Sequence, residues 1–248
     1  MNRRVPVAAV GVVVPARDEQ DRVEECLRSV LAALAAVTPR VRVAACVVLD
    51  RCRDGTARAV ARAAEASGGV LDAVVNEESR AVGELRTQGL VHLLRRLPVE
   101  HTWLLSTDAD TRVPVSWVRD HLRHADSGVD AVAGVVDLDD PRALPADVLS
   151  RYTGLVAAGV DGHVHTHAYA ANLGVRAAAF LDVGGFPVVA AGEEHALLHR
   201  LRTRGYVVRA PADVTARTSA RTAGRARGGL ADLLHQLHRG GSVAPGPA

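Results

Sequence analysis

Residues 102–113 read TWLLSTDADTRV, and this stretch decides how the rest of the chain is interpreted. The apolar run at 103–105 has the character of a buried strand. Asp108 and Asp110 follow at the point where the chain should leave the sheet, and Pro114 opens an amphipathic stretch that predicts a helix. Ligands of open α/β sheets bind just beyond the carboxyl ends of the strands. We therefore expect the two aspartates to lie at a ligand-binding edge.

Two carboxylates one residue apart offer oxygen ligands to a hard divalent cation such as Mg²⁺ or Mn²⁺. The alternative is a solvated acidic turn, because Asp also favours turns and helix N-caps. The strand before the pair favours the first interpretation, so we predict that Asp108 and Asp110 bind a divalent cation.

The composition suits one large α/β domain or a core with an appendage: the chain has 248 residues, 48% of them hydrophobic, and a net charge of +2. That charge is too small to indicate nucleic-acid binding. The three cysteines, at 26, 46 and 52, lack metal-binding spacing and indicate free thiols in a reducing compartment. The apolar N-terminal run is cut short at Arg17, so we predict no signal peptide and no integral membrane segment. We expect a cytoplasmic protein, and a homodimer is one option for its oligomeric state.

Strands and helices alternate through the first half of the chain. Apolar runs predict strands at 7–14, 41–49, 70–75, 103–105 and 130–138. Helical periodicity predicts helices at 19–34, 83–97 and 115–124, and an Ala-rich helix that ends at about residue 66. This order predicts right-handed crossovers and a Rossmann-like sheet. The later segments predict helices at 141–159, 176–183 and 193–204, and strands at 169–175 and 206–210. An Arg-rich segment, an amphipathic helix and a Gly/Pro tail follow.

Acidic residues also stand at the ends of the first two predicted strands. Glu19 begins a helix after strand one and could accept hydrogen bonds from ribose hydroxyls, although acidic residues are common at helix N-termini. Asp50 closes strand two at the same edge of the sheet. Arg80 and Arg86 lie in the sequence between Asp50 and the Asp-x-Asp turn. Together, the acidic groups at the three strand ends and these two arginines could hold a sugar nucleotide. The Gly-x-Gly-x-x-Gly phosphate loop of dinucleotide-binding proteins is missing.

Three later segments carry further candidate groups. Glu193 and Glu194 begin a helix, where a carboxylate could deprotonate an acceptor hydroxyl or simply form an acidic first turn. The arginines at 217, 221, 225 and 227 could bind phosphate or form a basic surface. The histidines at 163, 165 and 167 would share one face of a strand, as a metal cluster or as a solvated polar face.

Taken together, these segments resemble the inverting family 2 glycosyltransferases of the GT-A fold, from about residue 7 to residue 227. The resemblance is carried by VVVPARDE (12–19), VVLDRCRDGT (47–56), RAVGELR (80–86), STDADT (106–111), ANLGVR (171–176), VGGFP (183–187) and GEEH (192–195). It implies an α/β GT-A fold, with a mixed, mainly parallel sheet flanked by helices. Residues 1–138 would then form the nucleotide-sugar-binding half, 139–240 the acceptor-binding half of the same domain, and 241–248 a disordered tail.

The resemblance also implies roles for individual residues. The donor would be bound by Pro15, Ala16, Arg17, Glu19, Asp50, Gly83, Arg86 and Asp108. Asp110, helped by Asp108, would bind the metal. Glu194 stands where the family has its catalytic Asp, with Glu193 as the substitute. The exchange keeps a carboxylate at this position on a side chain that is longer by one methylene group.

The function implied is transfer of a single sugar from a UDP- or GDP-linked donor to a hydroxyl of a small or soluble acceptor. Two segments, DRCRDGT (50–56) and TSARTAGR (218–225), look like the soluble actinobacterial type related to glucosyl-3-phosphoglycerate synthases. A catalytically degenerate sugar-nucleotide-binding protein is the alternative. A sugar-phosphate nucleotidyltransferase is a weaker one, because such enzymes usually carry a Gly-rich first loop and a catalytic Lys.

Overall fold

The computed structural model describes residues 5–78, 80–222 and 229–239. The strands are β1 (Ala9–Ala16), β2 (Arg42–Asp50), β3 (Leu71–Asn76), β4 (Thr102–Ser106), β5 (Thr111–Arg112), β6 (Ala131–Ala133), β7 (Val135–Asp139), β8 (Val160–Asp161), β9 (Val164–His165), β10 (Leu173–Arg176), β11 (Val208–Arg209) and β12 (Thr215–Ser219). The helices are α1 (Val23–Ala35), α2 (Thr56–Ala66), α3 (Val82–Leu94), α4 (Trp117–Asp126), α5 (Ala146–Ala158), α6 (Ala177–Asp182), α7 (Glu193–Thr203) and α8 (Leu230–His238).

Seven strands form the central sheet, in the order β11-β6-β10-β4-β1-β2-β3. β1 pairs in parallel with both β2 and β4, β2 with β3, and β6 with β11. β10 runs antiparallel between β4 and β6. The prediction of a mixed, mainly parallel α/β sheet is confirmed. The parallel strands β1, β2 and β4 end at the same edge, which brings their following loops together.

Helices cover both faces of this sheet, which explains why its central strands β1, β2 and β4 are apolar without alternation. Along β1, Val10 and Val12 contribute to a core that includes residues of α1, α2 and α4. Val13 points to the other face, into a core with residues of α3, α6 and α7. On that face, a Cβ at Gly89 of α3 would lie 2.5 Å from Cγ2 of Val13. The glycine therefore lets α3 lie close against the sheet.

The strand predicted at 130–138 is two strands in different sheets. β6 belongs to the central sheet, whereas β7 joins β12 and β5 in a three-stranded sheet. The chain changes sheet at Gly134, where a Cβ would lie 2.3 Å from Nδ2 of Asn172 and 2.6 Å from the carbonyl oxygen of Val214. A side chain does not fit there, so the glycine allows Asn172 and Val214 to lie close to the backbone between β6 and β7.

Two other features of the second half differ from the sequence-based expectation. The strand expected at 169–175 begins as a 3₁₀ turn, Ala170–Asn172, before β10. The Arg-rich segment contains β12, which was not predicted because its polar sequence, TARTS, lacks an apolar run. Arg225, Arg227 and the predicted tail at 241–248 lie outside the described residues. The division into halves at residue 138 stays a prediction.

Candidate active site

Asp108 and Asp110 lie on the turn that joins β4 to β5, beyond the carboxyl end of β4. The backbone N–H of Thr111 donates to the carbonyl of Asp108 at 3.0 Å and closes the turn. The buried thiol of Cys26, on α1, donates to the same carbonyl at 3.2 Å. Hydrogen bonds from two elements therefore hold the backbone that carries the two carboxylates.

Arg86 is a buried cation beside this turn, with 3% of its surface exposed. Its Nη1 donates to Oγ of Ser106 at 2.7 Å, and its Nη2 donates to Oδ1 of Asp108 at 2.6 Å. Its Nε lies 3.6 Å from Oε1 of Glu193. A buried guanidinium is stable only when its charge is compensated, and these two carboxylates compensate it. Arg86 thus links the Asp-x-Asp turn to the first residue of α7.

A second arginine joins two other acidic residues at this edge. Arg221 donates from Nη1 and Nη2 to both oxygens of Glu19, at 2.9 and 2.7 Å. Its Nη2 also lies 3.0 Å from Oδ2 of Asp110. The hydroxyl of Thr218 donates to Oδ1 of Asp110 at 3.4 Å. β12 therefore brings a hydroxyl to the predicted metal ligand, and the residues directly after β12 bring a cation.

Asp50 lies at the end of β2 and is buried, with 4% of its surface exposed. Nδ2 of Asn76 and Nε of Arg51 donate to its Oδ1 at 2.8 and 3.0 Å. Nη1 of Arg17, from the loop after β1, lies 3.6 Å from its Oδ2. Nitrogen atoms of three residues therefore surround the Asp50 carboxylate, next to the predicted nucleotide loop.

A cavity of about 360 Å³ joins these groups. The sequence-predicted site residues that line it are Pro15, Ala16, Arg17, Glu19, Asp50, Arg86, Asp108, Asp110, Glu193 and Glu194. Gly83 lies behind the wall, where a Cβ would be 3.1 Å from Cβ of Glu193 and 3.2 Å from Cβ of Phe186. The glycine therefore allows α3 to approach the start of α7.

The structure adds lining residues that the sequence did not single out, among them Tyr169 and Thr218. Tyr169 lies just before the 3₁₀ turn and Thr218 lies on the unpredicted strand β12. The sequence identified Arg221 only as one of four arginines in a basic segment. Its side chain lies in this wall, two residues beyond the end of β12, whereas Arg217, on β12, is exposed.

Glu193 and Glu194 form the first turn of α7, after Gly192, which has a φ of 76°. Glu193 is buried and contacts Arg86. Burial, and next the nearby charge of Glu193, raise the pKa of Glu194 from 4.5 to about 7. A carboxyl group with a pKa near neutrality is ionised in a substantial fraction of molecules at physiological pH, and the ionised form can accept a proton.

Burial, and next the charge of Asp108, also raise the pKa of Asp110 to about 6. The guanidinium of Arg221 opposes this change, and the charge of Glu19 adds to it. A cation placed among these carboxylates would therefore be stabilised, and their oxygen atoms suit Mg²⁺ or Mn²⁺. Across the described ranges, no group of three His, Cys, Asp or Glu side chains is placed to hold a metal ion. Magnesium typically takes one or two carboxylates and completes its shell with substrate phosphates and water, so the pair fits.

The three histidines do not form the metal cluster that was one of their two interpretations. His165 lies on β9 and is buried, with its ring centroid 5.8 Å from that of His167. Nε2 of His167 is 2.9 Å from the carbonyl oxygen of Val156, and its ring stacks on Tyr169 at 5.8 Å. His165, His167 and Tyr169 thus form a row of aromatic rings that ends at the cavity.

A family model described as "Glycosyltransferase like family 2" matches residues 6–202. The chain belongs to this family. The predicted resemblance is therefore confirmed at the family level, and so is the prediction of a nucleotide-sugar-dependent glycosyltransferase. A search of curated proteins gives no significant match to the chain.

Solved structures of other glycosyltransferases resemble the fold. The mannosyltransferase PcManGT from Pyrobaculum calidifontis, in complex with GDP-Man and Mn²⁺, superposes with a TM-score of 0.67 at 22% identity, over 95% of this chain and 72% of that one. S. aureus TarS superposes with a TM-score of 0.61 at 15% identity, over 85% of this chain and 36% of TarS. A TarS fragment, residues 1–349, in complex with UDP gives 0.58 at 16% identity, over 86% and 60%. These likenesses show the fold, and they confirm the predicted GT-A class.

None of the described helices combines the length and the hydropathy needed to cross a membrane.

Proposed function

We propose that the protein transfers a single sugar from a nucleoside-diphosphate sugar to a hydroxyl of a small or soluble acceptor, by direct displacement with inversion. One observation carries this proposal. A single cavity is lined by the acidic groups at the ends of β1, β2 and β4 and by Glu194, a glutamate whose pKa is raised to about 7. Nucleotide binding and proton abstraction from an acceptor can therefore take place in one site.

The donor would lie along the ends of the parallel strands. Asp50 would accept hydrogen bonds from the base, and Glu19 and the backbone of Pro15 and Ala16 would contact the nucleoside. Arg86 already donates to Asp108, which would contact the sugar nucleotide, and so it positions that carboxylate. The UDP- and GDP-linked complexes of the structural relatives are consistent with either base.

Asp108 and Asp110 would hold the divalent cation, as their oxygen donors and the raised pKa of Asp110 support. When bound, such a cation neutralises the diphosphate and stabilises the charge on the departing group. A cation in the PcManGT structure is consistent with this assignment.

Glu194 would act as the general base. Its pKa of about 7 keeps a useful fraction ionised at neutral pH, and the carboxylate can then take the proton of the acceptor hydroxyl as the new glycosidic bond forms. The oxygen attacks the anomeric carbon from the face opposite the diphosphate, and the nucleoside diphosphate leaves with the bonding electron pair. Glu193 is less suited to this role because its carboxylate contacts Arg86. We assign Glu193 to positioning Arg86.

The test incubates the protein with a panel of UDP- and GDP-sugars, Mn²⁺ and a range of acceptors, and measures the release of nucleoside diphosphate. Proton NMR of the product gives the anomeric configuration. We expect release with one nucleotide, with inversion, and loss of release in Glu194→Gln but not in the exposed control Glu65→Gln. Absence of both transfer and donor hydrolysis would favour the degenerate binding protein. Pyrophosphate release from a nucleoside triphosphate and a sugar phosphate would favour the nucleotidyltransferase.

A further inference from the structure

The guanidinium of Arg221 occupies the space between the predicted metal ligand and the nucleotide loop. It makes two hydrogen bonds to Glu19, at 2.9 and 2.7 Å, and lies 3.0 Å from Oδ2 of Asp110. A quarter of the side chain is exposed (26%), so solvent reaches this ion pair from the cavity. Arg221 is therefore in contact with the carboxylate that a divalent cation would need.

The charges around the turn are balanced by arginines in this arrangement. Arg86 compensates Asp108 and Glu193, and Arg221 compensates Glu19 and Asp110. A divalent cation bound at Asp110 would add two positive charges within a few ångströms of the Arg221 guanidinium. Like charges at that separation repel strongly in a partly buried site. The cation and Arg221 therefore compete for the same carboxylate.

We propose that Arg221 is a resident counter-ion of Asp110 and Glu19, which the metal displaces only when a nucleoside diphosphate enters with it. The inference rests on the proposed metal and nucleotide site. If the metal alone displaced Arg221 from Asp110, the partly buried guanidinium would lose one of its two carboxylate partners. A diphosphate supplies a new partner, because the planar guanidinium fork matches phosphate oxygens as well as carboxylates.

This exchange makes metal and nucleotide binding mutually dependent. Each ligand increases the affinity of the protein for the other by the same factor, as linkage requires. Asp108 and Asp110 alone provide two ligands, so the diphosphate also completes the coordination of the cation. Before the donor binds, the charge of Arg221 neutralises the carboxylates of Glu19 and Asp110.

The test measures Mn²⁺ affinity directly, by the electron paramagnetic resonance signal of free Mn²⁺, in the presence and absence of GDP or UDP. In the nucleotide-free protein, Arg221→Gln should bind Mn²⁺ roughly tenfold more tightly than the wild type, within the range typical of coupled sites. Arg221→Lys keeps the charge and should bind Mn²⁺ as weakly as the wild type. The matched control Arg217→Gln removes an equal charge from an exposed position on β12 and should change the affinity little.

The outcomes separate this inference from the proposed function. If Arg221→Gln binds Mn²⁺ no more tightly than the wild type, while Asp110→Asn abolishes Mn²⁺ binding with nucleotide, the counter-ion role is wrong and the metal site stands. If the wild type binds Mn²⁺ equally well with and without nucleotide, the coupling is wrong whether or not the variants fold. If the wild type binds no Mn²⁺ even with GDP or UDP, both the metal site and the counter-ion role are wrong.

Discussion

Replacing Glu194 by Gln should increase the stability of the fold at alkaline pH while it strongly lowers the rate of transfer. The folded protein raises the pKa of Glu194 from 4.5 to about 7, so ionising this carboxyl costs more in the folded than in the unfolded state. At about 1.4 kcal/mol per pKa unit, the full cost is roughly 3 kcal/mol. Gln has nearly the same shape and no charge, so the variant does not carry this cost.

The sign of the effect with pH follows from proton binding. Between pH 4.5 and about 7 the folded wild type binds more protons than the unfolded chain, so Glu194 lowers the free energy of unfolding as the pH rises. Below pH 4.5 Glu194 is protonated in both states and does not change the free energy of unfolding. Above about pH 7 the full cost of ionising it in the folded state is present. We expect the stability advantage of Glu194→Gln over the wild type to grow by roughly 2–3 kcal/mol between pH 5 and pH 8.

Urea unfolding of both proteins at pH 5 and pH 8, without metal or nucleotide, measures this difference. Other titrating groups are common to both proteins, so the difference isolates Glu194. The exposed Glu65→Gln on α2 is the matched control and should show no such pH dependence. The reasoning is refuted if the stability difference between Glu194→Gln and the wild type is the same at both pH values. Transfer should fall by about 10²–10⁴-fold in the variant, and retained transfer would exclude Glu194 as the base.

Three further predictions test the site and the packing beneath it. In the wild type, kcat/KM should rise with pH and level off above about 7, because Glu194 must be ionised; a flat profile from pH 5.5 to 8.5 would contradict this. Asp110→Asn should remove the Mn²⁺-dependent part of nucleotide binding, measured by calorimetry, and an unchanged metal requirement would exclude Asp110 as a ligand. Gly89→Ala should destabilise the fold by about 1–3 kcal/mol in urea unfolding, because its Cβ would lie 2.5 Å from Val13. The control Gly154→Ala, with open space around it on α5, should be neutral or stabilising.

The parallel half of the fold follows from local sequence patterns. The predicted strands 7–14, 41–49, 70–75 and 103–105 agree with β1 to β4 to within about two residues. β1, β2 and β4 are largely apolar runs, which reveal strands that are buried on both faces. The edge strand β3 is only partly buried. β12 escapes this reasoning because it is short and polar, and β10 lies antiparallel through contacts that no local pattern encodes. The close contact between Gly134 and Asn172 joins residues that are distant in the chain.

The candidate site likewise has features that the sequence predicts and features that depend on tertiary packing. Glu19, Asp50 and Asp108 lie together because parallel strands end at one edge, which a sequence can predict. The pairing of Arg221 with Glu19 spans 202 positions, and it requires β12, which was not predicted. The raised pKa of Glu194 depends on burial beside Glu193, which follows from how α7 packs against α3 near Gly83. Contacts that depend on tertiary packing of this kind need the structure.

Thermal melting against GDP and UDP, with and without Mn²⁺, tests the central claim most directly. A ligand at one hundred times its dissociation constant stabilises the folded state by about 2.7 kcal/mol, which is a rise of roughly 5–10 °C for a chain of this size. We predict such a rise for one nucleotide, only in the presence of Mn²⁺. No rise with either nucleotide, with or without Mn²⁺, would contradict a nucleotide-sugar site in this cavity.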